Sequence, residues 1–260
     1  MLRRWCIPLA GLALVGGVLA AAAPATASSH PAGPTIHPIR PAMHGTAPMV
    51  SRGRASQAAQ STNWSGYAAH TKTYNKISAS WVEPTAHCPG GSQFSSFWVG
   101  LDGFNSGTVE QTGSEVDCRS GSPKYFGWYE MFPAFPVNFG NTVRPGDHFS
   151  GSVTFNGSGK FTLVLKDATQ GWSHTIHKTL TSAKRSSAEV IAEAPSSSSG
   201  VLPLADFGTV KFSNSMVNGS KLGGASPTKI IMVNGSGRAK DSVSALSNGT
   251  NFSAKWLHST

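Results

Sequence analysis

From Ser61 onward, apolar residues recur at every second position in short runs, and each run is cut off by Gly, Asn, Pro or Ser. Alternate residues of a strand point to opposite faces. The pattern therefore predicts strands over 64–69, 77–82, 94–101, 125–132, 148–155, 161–165, 188–192, 209–212 and 230–233. No 3.6-residue period persists long enough for a helix of ordinary length. Asn156-Gly157, Asn218-Gly219, Asn234-Gly235 and Asn248-Gly249 carry the strongest tight-turn signature. Each is followed by Ser or Thr and so doubles as a formal glycosylation acceptor, although hairpin turns explain all four without sugar. Many short strands with frequent turns mean an all-β domain, an antiparallel sandwich or barrel.

The alternation is absent before that point, and two other textures replace it. Residues 1–27 read as a secretory signal: Arg3 and Arg4, an apolar stretch from Ile7 to Ala23, and Ala25-Thr26-Ala27 as a small-residue cleavage site. Three glycines and a closing Pro24 argue against a retained membrane anchor. Residues 28–58 are rich in Pro and His and lack apolar periodicity, which fits a pro-segment or linker. Residues 59–260 form the folded domain, expected to be secreted, extracellular, free of the membrane after signal cleavage and monomeric.

Charge narrows the picture. The chain holds 21 Lys and Arg against only 12 Asp and Glu, a formal net charge of +9. Five of the cations (Arg3, Arg4, Arg40, Arg52 and Arg54) precede the domain, and the rest are scattered without a basic stripe, so no nucleic-acid partner is expected. Removal of Cys6 with the signal leaves Cys88 and Cys118. Export favours their oxidation, and two thiols allow one pairing. No Cys-x-x-Cys or His-x-x-x-His spacing occurs, and neither a metal nor a cofactor is expected.

Candidate chemistry emerges from the strand faces. Trp98, Gly100 and Asp102 share one face, opposite Phe97, Val99 and Leu101. Glu189, Ile191 and Glu193 lie opposite Ala188, Val190 and Ala192. Trp128, Glu130 and Phe132 lie together, as do Gln111, Gly113 and Glu115. A solvent-facing sheet surface is normally Ser, Thr and Lys. Acids interleaved with Trp and Gly indicate a concave binding face instead. Gly-x-Ser-x-Gly, His-Glu-x-x-His and Asp-Thr/Ser-Gly are all absent.

Five segments occur in an ordered set: Asn63-Trp64-Ser65-Gly66-Tyr67, Phe97-Trp98-Val99-Gly100-Leu101-Asp102-Gly103, Gln111-Thr112-Gly113, Trp128-Tyr129-Glu130-Met131-Phe132-Pro133 and Ala188-Glu189-Val190-Ile191-Ala192-Glu193-Ala194-Pro195. In this the chain resembles the glutamic peptidases (eqolisins, peptidase family G1) over roughly residues 60 to 256. The resemblance implies an antiparallel two-sheet β-sandwich of lectin-like architecture and an acid endopeptidase acting on proteins or peptides through a Gln/Glu dyad. It assigns Gln111 and Glu193, the second glutamate of its motif, to that dyad. It places Trp98, Asp102 and Glu130 along the groove, with Glu115 where an aspartate is usual. Val190 stands in place of an aromatic and Met131-Phe132 in place of a Trp-Tyr pair, departures that would reshape substrate pockets. A secreted carbohydrate-binding sandwich, with Trp64, Trp98 and Trp128 as stacking platforms, is the competing expectation.

Overall fold

Strand formation here is driven by two apolar faces meeting. The computed structural model describes residues 45–46, 49–51 and 58–260. The expected secretory signal and most of the expected 28–58 segment lie outside the described residues. Two large sheets stack face to face. One has nine strands, with Trp64–Ala69, Ala188–Glu193, Ser92–Leu101, Val109–Arg119 and Ser122–Phe132 adjacent in that order at its centre. The second, of eight strands, runs through Trp172–Thr179, Lys160–Asp167, His148–Gly157, Lys76–Val82, Thr209–Val217, Phe252–Trp256 and Asp241–Val243. Pairing is antiparallel except between Ala59–Ser61 and Thr228–Met232. The sandwich expectation holds, and the barrel alternative falls away.

Between the sheets, Phe97, Val99 and Leu101 from the first meet Trp81, Phe149 and Leu163 from the second. Trp81 also donates its indole N–H to Ser114 Oγ at 2.8 Å, satisfying a donor that would otherwise be costly to bury. The nine-stranded sheet is buried on its other face too, where Trp64, Trp98, Val109, Trp128 and Ile191 form a separate cluster. This explains why Trp64–Ala69 and Ala188–Glu193 are buried at every residue. Cys88 and Cys118 are bridged, their Cα atoms 5.4 Å apart.

Strands at Trp172–Thr179 and Phe252–Trp256 were not foreseen: the first is mostly polar, the second is five residues long. Asn218-Gly219 and Asn248-Gly249 turn with φ positive at both residues, as their composition requires. After Asn156 the reversal falls two residues later, at Ser158-Gly159. Asn234 acts through its side chain, which accepts from the Ser236 and Arg238 backbone N–H groups. No helix among the described residues is long and apolar enough to cross a membrane.

Eleven of the twelve acids are buried; Asp206 is the partly exposed exception. Glu83 shows what this requires. Neither carboxyl oxygen has a hydrogen-bond partner at bonding distance. Burial pushes its pKa up to about 8; the Ser114 hydroxyl opposes the shift, and Asp147, Asp167 and Glu115 reinforce it. Burial likewise pushes Asp241 up to about 7, although Ser65 donates to it.

A carboxyl that holds its proton more tightly when folded weakens the fold as pH rises. Below 4.5, the ordinary value, both states carry the Glu83 proton and nothing is lost; between there and about 8 only the folded state keeps it. The unfolding free energy should fall across that window by about 1.4 kcal/mol per pH unit for such a carboxyl. Urea unfolding at a series of pH values should show the decline, with Glu83→Gln flattening it. An unchanged slope in the variant would remove Glu83 as a cause.

Candidate active site

Register across the nine-stranded sheet fixes which polar side chains can meet. Glu189 pairs with Gly100, Gly100 with Gln111, and Gln111 with Glu130, giving a row of four positions on one face. Two rows further along, Glu193 pairs with Ser96, and Ser96 with Glu115. Between them runs Ile191, Trp98, Gly113 and Trp128. The faces inferred from the alternation are therefore correct for Gln111, Glu115, Glu130, Trp98 and Glu193.

Glycines give the middle of this face its shape. A Cβ on Gly100 would lie 2.9 Å from the Trp98 ring and 3.1 Å from Gln111 Cβ. At Gly113 it would approach the Phe97 carbonyl oxygen to 2.2 Å and Trp98 Cβ to 2.5 Å. Gly113 and Gly100 thus let Trp98 lie across the sheet, its ring reaching over Gly100 in the row of Glu189 and Gln111.

Gln111 is oriented by Glu130, whose Oε2 accepts from its Nε2 at 2.7 Å. The amide has two N–H bonds, and this contact commits one of them. Glu189 has no hydrogen-bond donor at bonding distance on either oxygen. Burial holds its pKa well above the usual carboxylate range; Ser187 opposes the shift, and negative charge at Asp102 and Glu110 adds to it. Glu110, also buried, is pushed up to about 9 by desolvation, with Asp102 as the next contributor.

Glu193 differs in both position and employment. It lies four residues along its strand from Glu189, two rows away in the register, with Trp98 in the row between. Its oxygens accept from Asn63 Nδ2 at 3.0 Å and from the Trp98 indole N–H at 2.7 Å.

Asp102 sits just beyond its strand with φ +70°. Oδ1 accepts from Ser106 Oγ and from the Ser186 N–H and hydroxyl, and Oδ2 accepts from the Lys184 and Arg185 N–H groups. Those bonds hold the loop that leads into Ala188–Glu193. Val190 and Met131 pack between the sheets and cannot reshape substrate pockets, whereas Phe132 borders the groove cluster. Trp64, Trp98 and Trp128 are fully buried, Trp64 and Trp98 edge to face with centroids 4.8 Å apart. They are not the open platforms that the carbohydrate-binding expectation needs.

The model of the Peptidase A4 family matches residues 62–256. The chain belongs to the Peptidase A4 family. Within it, Aspergillopepsin-2 of Aspergillus niger is 28% identical over 178 residues, covering 59% of this chain. The match spans 63% of that relative's own length. Among solved structures, scytalido-glutamic peptidase with a transition state analog inhibitor superposes with a TM-score of 0.67 at 24% identity, covering 75% of this chain and 98% of the other. Aspergilloglutamic peptidase from Aspergillus niger gives 0.58 at 25% identity, covering 64% and 99%. The family expected from the five motifs is the one found.

The Asp102 geometry makes a stability prediction. Asp102→Ala in this A4-family chain strands three backbone donors, at Lys184, Arg185 and Ser186. Each stranded donor costs about 1–3 kcal/mol, so the variant should lose at least about 3 kcal/mol in urea unfolding. Asp102→Asn keeps an acceptor and tolerates the left-handed backbone, and should lose clearly less. Equal losses would contradict the assignment.

Proposed function

We propose that the chain is a secreted endopeptidase in which Gln111 and Glu193 hydrolyse peptide bonds. The observation that carries the proposal is that Gln111, Glu130, Trp98 and Glu193 share one face of the sheet, with Gln111 bonded to Glu130 and Trp98 to Glu193, together with membership of the A4 family. The similarity to glutamic peptidases solved with a transition state analog supports a polypeptide substrate.

Peptide hydrolysis by these groups needs a base for water and a donor for the oxyanion. As carboxylate, Glu193 takes a proton from water as the water oxygen attacks the peptide carbonyl carbon. Gln111, held by Glu130, donates an amide N–H to the developing oxyanion. The tetrahedral intermediate collapses as the C–N bond breaks, and the proton on Glu193 passes to the leaving amine. The glutamine cannot titrate, so it remains a donor throughout.

The pH dependence follows from the same groups. Glu193 works as a carboxylate, a form favoured by the Asn63 and Trp98 donors, so activity falls once it is protonated. Burial keeps the protons on Glu189 and Glu110 nearby; the base is a carboxylate among protonated neighbours and the working range is acidic. Glu193→Gln and Gln111→Glu should each lower kcat by at least about 10³-fold, the scale of removing a general base or an oxyanion donor. Glu189→Gln should lose far less, because that carboxyl already carries its proton. Full turnover by Glu193→Gln would overturn the dyad.

Residues 28–58 enter the proposal as a removable restraint. In the chain as a whole Glu193, Gln111 and Glu130 are fully buried. Gly45 lies against the Phe132 ring beside the groove, and Met49–Ser51 pairs with Ala59–Ser61. The complete chain and protein beginning near Ser61 should differ in activity at one acid pH. Identical pH–activity curves would end this part of the reading.

A further inference from the structure

The outer face of the eight-stranded sheet, turned away from the proposed active site, has an unusual charge pattern. Lys76, Lys166, Lys211 and Lys255 are exposed on it, with His148 and His177. Register brings their strands side by side: Lys166 pairs with Ser150, Ser150 with Ser80, Ser80 with Ser213, and Lys211 with Ser253. None of the four lysines has an ion-pair partner among the described residues. No acid reaches this face, because eleven of the twelve are buried and Asp206 pairs with His87 elsewhere. An ordinary exposed sheet face intersperses both signs.

Between the lysines lies a bed of small hydroxyls. Ser78, Ser80, Ser150 and Ser152 make no side-chain hydrogen bond among the described residues. Two shallow grooves, of about 440 and 400 Å³, share Ser80, Ser150 and Asn214 and so form one trough. Lys166, Lys211 and His148 line one end of it, and Lys76 the other.

We propose that this trough docks an extended acidic polysaccharide, such as a polyuronate, with the lysines addressing its carboxylates and the serines its hydroxyls. A polymer is favoured over a small anion because the positive groups spread over five adjacent strands, about 19 Å, and do not converge. The face has no Phe, Tyr or Trp ring for stacking bases and no Arg for forked phosphate contacts, which single-stranded nucleic acid would use. Its apolar side chains, Val82, Val164 and Met216, are scattered and give a membrane little to insert against. Lysine keeps its charge from acid to neutral pH, so docking and acid hydrolysis are compatible. The peptidase reading is not required for this surface, and the two fail separately.

The test uses the full chain carrying Glu193→Gln, immobilised and titrated with polygalacturonate at pH 5 over a range of salt concentrations. Saturable binding that weakens with salt is expected. Replacing Lys76, Lys166, Lys211 and Lys255 together by Gln should weaken it at least tenfold and flatten its salt dependence. With wild-type Glu193 restored, that quadruple variant should keep its peptide turnover. A control quadruple, Lys72, Lys124, Lys184 and Lys229 to Gln, removes the same net charge elsewhere and should bind nearly as well as the parent. Equal weakening by both sets would overturn the proposal in favour of generic positive charge. Absence of binding, or equal binding to duplex DNA or phosphatidylglycerol vesicles, would overturn it as well.

Discussion

A carboxylate taken out of water costs several kcal/mol unless a cation or donors receive it. This chain has placed eleven of its twelve acids inside. Asp102 resolves the problem with five hydrogen bonds, and Asp117 with Arg119 at 3.0 Å. Glu83, Glu110 and Glu189 have no partner at bonding distance, only Ser114, Thr108 and Ser187 hydroxyls nearby. What remains for them is to keep the proton. Tolerance of acid thus belongs to the packing of the sheets themselves, and the same circumstance supplies the proposed site with protonated neighbours in Glu189 and Glu110.

That packing is unusual in burying both faces of the central strands. Antiparallel sheets commonly leave one face to water. Here Phe97, Val99 and Leu101 point to one apolar layer while Trp98 points to another. Room for large indoles on the second face comes from strand residues that have no side chain at all. Gly113 admits the base of Trp98, and Gly100 the far edge of its ring. Glu193 then fixes the indole through its N–H. A glycine in a strand weakens it, so its presence marks a close approach. In this sheet the approach belongs to Trp98, whose indole lies between the row of Gln111 and that of Glu193.

Much of this was legible in the residues. Alternation separated core from groove in the strands carrying Trp98, Gln111, Glu130 and Glu189, because a period of two depends only on local backbone geometry. Five ordered motifs identified the family. What the sequence withheld was register. Glu189 and Glu193 share a face and a motif, and only the pairing partner of each distinguishes them: Gly100 for one, Ser96 for the other. At Asp102 a φ of +70° ends the extended backbone on which parity depends, so its bonds to the 184–186 loop were not legible. The strand Trp172–Thr179 escaped because an edge strand needs little apolar character.

Burial of the acids and exposure of the lysines are two sides of one distribution. Within the fold, protons come and go with pH, and with them stability and the proposed chemistry. On the outside, the charge rests on lysines, which do not titrate in the acid range. A protein with ordinary surface carboxylates would change its external charge as it entered the range in which its internal carboxyls become usable, and any charge-guided contact would change with it. Separation of the two populations removes that coupling. The outer lysines then present the same charge whether the interior carboxyls hold or lose their protons.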